Sequence, residues 1–329
     1  MKSRHKYKLQ IGGRKVILGS RTLILGVVNV TPDSFSDGGL YLEPARAIER
    51  GVELVREGAD WIDVGGESTR PGSRPTAAEE ELRRILPVIR GLRKRLPGVP
   101  TAIDTTKAEV AEQALRAGAA IINDVSGLRF DPRLAGVARR FHAPLILMHL
   151  RGRPETMQQK PFARDIWRSL RKGLTTSIRR ALAAGVRRSQ LIIDPGLGFG
   201  KTRRQNFEIL AQLDRLRVFR LPIVVGTSRK SFVQAVVAGE GLEARSLAKS
   251  PGVHWPVTGV GEHLHGAPPS RSRREGHEGP PLPFGDAAAV AASIVAGAHI
   301  VRVHDVAAIL PAARIADAIL EAERSDKPK

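Results

Sequence analysis

Polar side chains that could do chemistry recur in this sequence at the ends of short apolar runs. Eight runs finish in amides, carboxylates, imidazoles or basic groups, namely Asn29, Asp63, Asp104, Asn123, Asp124, His149, Asp194, Lys230, Arg302 and His304. For a single run, the ordinary polarity of loops would explain such an ending. Eight runs that end alike indicate that their last residues meet at one place, where they would form a binding site.

Three of these residues, Asp104, Asn123 and Asp194, suit the N–H donors of a nitrogen-rich heterocycle. They come from three different runs and offer carboxylate and amide oxygens without an excess of cations nearby. Arg302 and His304 lie two residues apart, so a strand would place them on one face. A buried arginine needs an anionic partner, which either a bound anion or a structural aspartate can supply. We therefore expect a pocket with one side for a polar ring and another for an anion.

A further anion-binding feature lies in GTSRKSF, residues 226–232, which follows an apolar run and opens a helical pattern. Backbone N–H groups at a helix start, together with Arg229, Lys230 and Ser231, can hold an anion. The alternative is an ordinary helix start that Thr227 or Ser228 caps. The sequence leaves both interpretations open.

The glycine-rich segment DPGLGFGKT, residues 194–202, does not match a nucleotide-binding loop. The pattern G-x-x-x-x-G-K-[ST] requires a glycine where this chain has Pro195. The dinucleotide pattern G-x-G-x-x-G fails as well, because the glycines stand at 196, 198 and 200. These mismatches disfavour a nucleoside triphosphatase and a Rossmann-type dehydrogenase.

The apolar runs that carry these residues alternate with helical patterns along most of the chain. The predicted strands are 23–29, 61–65, 100–104, 120–124, 144–149, 191–194, 222–227 and 299–304. The predicted helices are 43–58, 76–95, 106–117, 131–141, 164–184, 204–217, 230–238 with 286–296, and 307–323. Such alternation predicts parallel strands that are joined by helical crossovers and buried on both faces. Eight units predict a single-domain α/β protein, a (β/α)8 TIM barrel over residues 1–329 with its core at about 20–325.

One segment, residues 239–285, breaks this alternation before the last helix and strand. It is rich in Gly, Pro, Arg, Ser and His and has no hydrophobic period. Such a composition buries too little apolar area to offset the entropy of ordering, so we expect a disordered insertion. The spacing of the histidines in this segment matches no zinc site. They are His254, His263, His265 and His277.

Composition limits the class of protein. The chain has 329 residues and no cysteine, which excludes a disulfide framework and any thiolate ligand or nucleophile. Its basic N-terminus lacks the apolar stretch of a secretory signal, and no apolar run reaches the length of a membrane span. We therefore expect a soluble, cytoplasmic protein without membrane contact.

The net charge of +20 predicts an anionic partner. Nucleic acid is one candidate, and a phosphorylated small molecule is another. Basic residues are spread over many predicted helix faces, while aromatic residues make up only 4% of the chain. Single-stranded nucleic acid is bound through aromatic side chains interleaved with basic ones. Because this chain lacks that pattern, we do not expect nucleic acid to be its main partner.

Eight motifs, taken together and in order, resemble those of the dihydropteroate synthases. They are GVVNVTPDSFSDGG, IDVGGESTRPGS, AIDTTKAEVAEQAL, IINDVSG, LILMHLRGRPETMQ, LIIDPGLGFGKT, VVGTSRKSF and AGAHIVRVHDV, and they span about 23–306. The resemblance implies a transferase of folate and tetrahydrofolate biosynthesis that is a target of sulfonamides. It would condense 6-hydroxymethyl-7,8-dihydropterin diphosphate with 4-aminobenzoate to give 7,8-dihydropteroate and diphosphate. The implied cofactor is Mg²⁺, which helps to hold the diphosphate.

The resemblance also implies roles for individual residues. Those that would hold the pterin are Asp104, Asn123, Met148, Asp194 and Lys230. Those that would hold the diphosphate are Asn29, Arg302 and His304, with Asn29 also bound to Mg²⁺. Two loops would approach the reacting groups and supply Asp33, Phe35, Asp37, Ser68, Thr69, Arg70 and Pro71. Ser231 would face the carboxylate of 4-aminobenzoate.

The first of these loops, within GVVNVTPDSFSDGG at 26–39, is expected to act as a lid. Loss of diphosphate leaves a cation on the pterin methylene group, and we assign catalytic roles to Asp33, Asp37 and Lys230. Asp37 would stabilise this cation where it develops. Closure of the loop would exclude water, which would otherwise trap the cation as the alcohol.

The sequence departs from this family in one region. Asp286 stands where the family has threonine, and the segment 239–285 is longer than the usual connection. In this family, helices around that point form the dimer contact. We still expect a homodimer, but the departure bears on dimerisation more than on the active site.

Two alternatives to a synthase remain. A non-catalytic pterin-binding barrel, or a pterin-dependent methyltransferase domain, would share the pterin half of the pocket. Such a protein would not need the motifs at 68–71, 229–231 and 302–304, all of which are present. The other alternative is a basic protein that binds nucleic acid through 239–285.

Overall fold

The strands of the computed structural model, which describes residues 4–31, 42–69, 72–159, 161, 163–242 and 283–325, agree with the predicted runs. They are β1 (Tyr7–Ile11), β2 (Arg14–Leu18), β3 (Leu23–Asn29), β4 (Trp61–Gly65), β5 (Thr101–Asp104), β6 (Ile121–Asp124), β7 (Leu145–Met148), β8 (Leu191–Asp194), β9 (Val224–Gly226) and β10 (Ile300–Val303). The strands from β3 to β10 correspond one by one to the predicted strands. The pair β1 and β2 was not predicted.

The helices lie between these strands, as the alternation predicted. They are α1 (Leu42–Glu57), α2 (Ala78–Arg95), α3 (Ala108–Ala117), α4 (Leu134–Arg140), α5 (Ile166–Ala183), α6 (Arg203–Ala211), α7 (Ser231–Val237), α8 (Pro283–Val295) and α9 (Val306–Ser325). The predicted helix 204–217 is wrong in its second part, because α6 ends at Ala211 and a 3-10 helix follows over Leu213–Phe219. Among the helices of the described ranges, none is both long enough and apolar enough to span a membrane.

The strands from β3 to β10 form one parallel sheet that closes into a barrel. Their order in the sheet is β8-β7-β6-β5-β4-β3-β10-β9, and a parallel bridge between Ile193 and Ile223 joins its two edges. The predicted (β/α)8 architecture is therefore confirmed. In such a barrel the carboxyl ends of all the strands lie at one end, where active sites form.

Side chains inside the barrel change from apolar to polar along the strands. A buried apolar cluster fills the amino end and includes Trp61, Ala102, Ile121, Ile146, Ile192, Val224 and Ile300. Alternate residues of a strand face the same side, so the residue two positions further along also faces the interior. Those residues are Asp63, Asp104, Asn123, Met148, Asp194, Gly226 and Arg302. A second, larger apolar cluster lies between the sheet and the helices.

The antiparallel hairpin of β1 and β2 covers the amino end of the barrel. Leu9, Ile11 and Leu18 of the hairpin belong to the apolar cluster inside the barrel. Gly12 and Gly13 have φ of +53° and +80°, as a type I′ turn requires. Two glycines between alternating apolar residues are the signal from which the hairpin could have been predicted. With this end covered, a ligand reaches the interior from the carboxyl end.

Most of the predicted insertion, residues 243–282, lies outside the described residues, so its disorder stays a prediction. The described elements on either side are α7 and α8, and both belong to the outer layer of the barrel. Val233 of α7 and Ala289 of α8 are buried in the cluster between sheet and helices. The barrel is thus complete on both sides of the insertion.

Candidate active site

The predicted pterin-binding residues do meet at the carboxyl end of the barrel. Asp104, Asn123 and Asp194 lie at the ends of β5, β6 and β8 and are buried. Arg302 of β10 bonds to Asp104, and Lys230 interacts electrostatically with Asp104 and Asp194. One pocket therefore contains carboxylates, an amide and two cations.

Asp63 is a site residue that the sequence reasoning did not assign. Its carboxylate accepts Arg302 Nε at 2.6 Å and Asn123 Nδ2 at 3.0 Å, and the residue is 0% exposed. Arg302 also donates Nη2 to Asp104 at 2.7 Å. The available signal was the strand register, because Asp63 stands two residues after the interior residue Trp61. The sequence left open whether Arg302 pairs with a bound anion or with a structural aspartate. In the structure two aspartates, Asp63 and Asp104, accept hydrogen bonds from it.

The pKa values of Asp104 and Arg302 are both raised, but for different reasons. Burial raises the pKa of Asp104, the charge of Arg302 opposes that shift, and the neighbouring Asp63 adds to it. Burial alone would lower the pKa of Arg302, but attraction to Asp63 and Asp104 outweighs it and the net shift is upward. Arg302 therefore stays charged, while the raised pKa of Asp104 makes its carboxylate easier to protonate than an exposed one.

Lys230 lies against the aromatic ring of Phe199, with Nζ 4.1 Å from the ring centroid. Burial and the charge of Arg302 lower the pKa of Lys230 to about 8, although Asp194 and Asp104 oppose the shift. Lys230 is therefore mostly protonated at pH 7 and can donate hydrogen bonds. It becomes neutral in mildly alkaline solution.

The glycine-rich segment after β8 shapes the pocket through its backbone. Gly196, Gly198 and Gly200 have φ of +65°, +84° and +64°, a region that favours glycine. A Cβ on Gly196 would lie 2.2 Å from the His149 carbonyl oxygen, and one on Gly198 would lie 3.1 Å from Lys230 Cδ. The alternating glycines therefore allow the segment to pass directly against β7 and Lys230. This role explains why they match no nucleotide-binding pattern.

Lys201 holds this segment in place. Its Nζ donates to the carbonyl oxygens of His149 at 3.1 Å, Gly196 at 2.6 Å and Phe199 at 3.0 Å. Burial lowers the pKa of Lys201 to about 7, and Asp194 opposes the shift. Asp194 itself accepts the Gly196 N–H at 2.6 Å, and burial raises its pKa. The pterin-site carboxylate and the glycine segment are thus fixed to each other.

An apolar surface lines one side of the pocket. Met148 ends β7 and is buried in a cluster with Val125, Leu150, Met157 and Phe199. A thioether and an aromatic ring form favourable contacts with flat, polarisable rings. This geometry suits the contact with the pterin ring that is predicted for Met148.

Asp286, the residue that departs from the family pattern, contacts the segment around Lys230. Its carboxylate accepts the N–H of Arg229 at 2.8 Å and Gln234 Nε2 at 3.4 Å. Arg229 has φ of +58°, a left-handed conformation that is uncommon for a residue with a side chain. Burial raises the pKa of Asp286, and the hydrogen bond from Arg229 opposes the shift. The carboxylate therefore supplies an acceptor that stabilises this conformation.

The start of α7 is not capped as an ordinary helix start would be. Lys230 is the N-cap residue, and no side chain caps the helix. Within the described ranges, Thr227 Oγ1 is buried without a hydrogen-bond partner. Ser228 Oγ instead accepts the His304 N–H at 3.3 Å. The capping interpretation is therefore wrong, and Ser231 is exposed as the first residue of the helix.

Asn29 ends β3 beside Gly65. A Cβ on Gly65 would lie 3.8 Å from Asn29 Oδ1 and 3.5 Å from Asp104 Cβ, so glycine leaves a space between these side chains. Among the described residues, no group of three or more His, Asp and Glu is placed to hold a metal ion. Since Mg²⁺ binds several oxygen ligands, Asn29 would supply one of them and a bound substrate would have to supply others.

Five predicted residues lie outside the described residues, and their roles stay predictions. They are Asp33, Phe35, Asp37, Arg70 and Pro71. In the sequence they follow β3 and β4. Thr69, the last described residue before Arg70, lines a cavity with Lys107 and Arg153.

Comparison with known proteins agrees with this geometry. The family model described as pterin binding enzyme matches residues 25–258. The dihydropteroate synthase of Synechocystis sp. is 39% identical over 311 residues, which cover 94% of this chain and 94% of that protein. The solved structure of Xanthomonas albilineans dihydropteroate synthase with 4-aminobenzoic acid is 34% identical, has a TM-score of 0.77 and covers 98% of this chain and 100% of its own. The solved structure of the Yersinia pestis dihydropteroate synthase with a sulfonamide drug complex is 34% identical and has a TM-score of 0.76. It covers 97% of this chain and 99% of its own.

The barrel, the polar pocket at its carboxyl end and the family match define a pterin-binding enzyme. Within this class, similarity over nearly the whole chain shows that the protein belongs to the dihydropteroate synthases. These transferases condense 6-hydroxymethyl-7,8-dihydropterin diphosphate with 4-aminobenzoate in folate biosynthesis. The resemblance carried by the eight sequence motifs is confirmed.

Proposed function

We propose that the dihydropterin ring binds inside the carboxyl end of the barrel, with its polar edge toward Asp104, Asn123 and Asp194. The observation that carries this proposal is a buried layer of hydrogen-bond acceptors beside Lys230. Asp63 Oδ1 is also a buried acceptor without a hydrogen bond among the described residues. Buried acceptors of this kind are costly unless a ligand satisfies them. Lys230 would donate to the ring, and Met148 would contact its face.

The diphosphate would lie further out, near Arg302, His304 and Asn29. Arg302 keeps its charge because of Asp63 and Asp104, and an anion next to it would add to that pairing. Asn29 would be the protein ligand of Mg²⁺. When bound, Mg²⁺ would neutralise part of the charge on the diphosphate and make it a better leaving group.

The 4-aminobenzoate would bind at the mouth of the pocket. Ser231 is exposed at the start of α7, where it can face a carboxylate. Thr69 is the described residue of the second loop, and Arg70 and Pro71 follow it. The amine of the substrate would then point toward the pterin methylene carbon.

The reaction breaks the bond between the pterin methylene carbon and the diphosphate oxygen, and the electron pair leaves with the diphosphate. The amine nitrogen of 4-aminobenzoate forms the new bond to that carbon, and the proton that it then loses passes to the departing diphosphate or to water. No strong base is required, because an arylamine is already neutral at pH 7. Asp37 and Asp33 would stabilise the developing cation, and Lys230 would keep the ring in position.

The experiment that tests this proposal is product formation from the two substrates, with and without EDTA. Dihydropteroate that forms only with Mg²⁺ is the expected result, and sulfonamides should inhibit its formation. Pterin binding without product would instead support a non-catalytic pterin-binding barrel. Product at the same rate in EDTA would overturn the role of Mg²⁺ and of Asn29 as its ligand.

We further propose a cytoplasmic homodimer that forms through α6, α7 and α8. An apolar groove of about 820 Å³ lies between these helices, and its lining includes Phe207, Val233, Val237 and Ala289. Phe284, next to the lining residue Gly285, is 78% exposed. A second copy of the chain would bury this apolar surface, and the family's dimer contact involves helices in this region. A chain without cysteine suits a reducing compartment.

A further inference from the structure

A second cavity, of about 660 Å³, lies outside the barrel interior and is called here the α5 cavity. It is lined by α5, which supplies Lys172 and Arg180, and by the segments after β6 and β7, which supply Arg129 and Arg151. Of the residues proposed to hold the reactants, Met148 is the one that also lines it, among those described. The α5 cavity therefore borders the pterin pocket at Met148, while its other lining residues differ from those proposed to hold the reactants.

The charge of the α5 cavity is strongly positive. Four cationic side chains line it, and none of its described lining residues is acidic. Arg180 donates to the carbonyl oxygen of Leu128 at 3.1 Å, and Arg129 donates to that of Gly152 at 3.3 Å. These carbonyl partners satisfy hydrogen bonds but do not neutralise charge. Burial, Arg153 and Arg180 together lower the pKa of Arg129, which shows that the cations repel one another.

His149 lies in the wall of the cavity and adds no charge to it. The residue lines the α5 cavity and is only 6% exposed. Its Nε2 lies 3.3 Å from Ser169 Oγ, whereas Nδ1 is buried and has no hydrogen-bond partner among the described residues. Burial and the nearby Lys201 hold the pKa of His149 well below its usual value. The ring is therefore neutral at pH 7, and it forms part of the cavity wall through the edge that faces Ser169 and Gly173 of α5.

The lining also has an apolar part. Leu150 and Met157 line the cavity together with Met148. A volume of several hundred Å³ is in the range of sites for small organic ligands. Four cations exceed what one carboxylate needs, and they match the charge and multiple oxygens of a phosphate group.

We propose that the α5 cavity binds a phosphate-bearing anion, with its oxygens among Arg129, Lys172 and Arg180. The apolar part of the lining would contact the organic portion of a phosphate ester. This site is additional to the diphosphate site in the barrel and does not depend on it.

The experiment is calorimetric titration of the full chain with AMP and with inorganic phosphate. Each titration is done with and without saturating 6-hydroxymethyl-7,8-dihydropterin diphosphate, which occupies the barrel. Lys172→Gln removes one lining cation, and Arg171→Gln is the matched control, because Arg171 is the preceding, exposed residue of α5 and does not line the cavity. Circular dichroism verifies that both variants fold.

One binding event that persists with the barrel saturated is the expected result. Lys172→Gln should weaken it about tenfold, as expected for one hydrogen bond to a charged group, and Arg171→Gln less than about twofold. Tighter binding of AMP than of phosphate supports an ester as the ligand, and equal binding supports free phosphate. No binding to the saturated protein, or equal weakening in both variants, would overturn the proposal.

Discussion

Asp286 accepts the backbone N–H of Arg229 at 2.8 Å and so joins α8 to the segment that leads into α7. Because Arg229 has a left-handed φ, this bond holds a strained turn next to Lys230 and Ser231. We expect Asp286→Ala to lower kcat/KM about tenfold, mainly through KM for 4-aminobenzoate, since a lost hydrogen bond to a charged group costs about 1.5–3 kcal/mol. Steady-state kinetics with each substrate varied in turn is the measurement.

Two further variants complete this test. Asp286→Asn keeps an acceptor for the Arg229 N–H, so its kcat/KM should fall less than about threefold. Asp214→Ala removes an exposed carboxylate from the neighbouring 3-10 helix and should leave the kinetics unchanged. Equal losses in the alanine and asparagine variants of Asp286 would show that the hydrogen bond is not the cause.

Asp63 and Arg302 form an ion pair in which Asp63 is fully buried. Asp63→Asn should lower the free energy of unfolding by about 2–3 kcal/mol, because it removes one of the two carboxylates that bond to the largely buried Arg302. Urea denaturation at pH 7 measures the change. Glu49→Gln breaks an exposed pair with Arg95 and is the control, with no measurable change expected. An Asp63 variant as stable as the Glu49 variant would contradict the prediction.

The lowered pKa of Lys230 predicts an alkaline limit to activity. Burial and Arg302 bring this pKa from 10.5 to about 8, so the ammonium that donates to the pterin is lost as the pH rises through 8. We expect kcat/KM for the pterin substrate to fall above that pH. The Lys230→Arg variant should have a lower kcat/KM at every pH, but this value should not fall above pH 8, because a guanidinium stays protonated. An unchanged alkaline limb in the arginine variant would assign the titration to another group.

Asp37 is predicted to stabilise the transition state from the loop that follows β3. Asp37→Asn should lower kcat about 100-fold or more, as is typical when one electrostatic stabiliser is removed. The Kd of the pterin diphosphate should change less than about threefold, because the charge acts on the cation that forms after binding. Single-turnover kinetics and equilibrium binding give the two quantities, and equal effects on both would contradict the role.

The sequence predicted the interior residues well, because a strand fixes which residues share a face. Asp104, Asn123 and Asp194 follow buried strand residues by two positions, and so does Asp63. Asp63 could have been assigned by the same rule, had the register been applied to every strand. The hairpin of β1 and β2 was likewise missed although Gly12 and Gly13 signal it.

Other features could not be predicted from local sequence. The contact of Asp286 with Arg229 joins residues on either side of the insertion, and only the closed barrel brings them together. The helix after α6 changes to a 3-10 helix, where Leu213 and Leu216 are buried three residues apart. That spacing suits an α-helix as well as a 3-10 helix, so the apolar pattern alone does not distinguish the two.

Phe284 tests the proposed dimer. Because it is 78% exposed next to the apolar groove of α6, α7 and α8, Phe284→Asp should place a charge in the contact and halve the mass in solution. Light scattering after size-exclusion chromatography measures the mass. Ile315→Asp changes another exposed apolar residue, 64% exposed on α9, and should leave the dimer intact. A parent chain that is already monomeric would rule out the dimer. A Phe284 variant that stays dimeric would move the contact to another face, since burying a carboxylate without a partner opposes association.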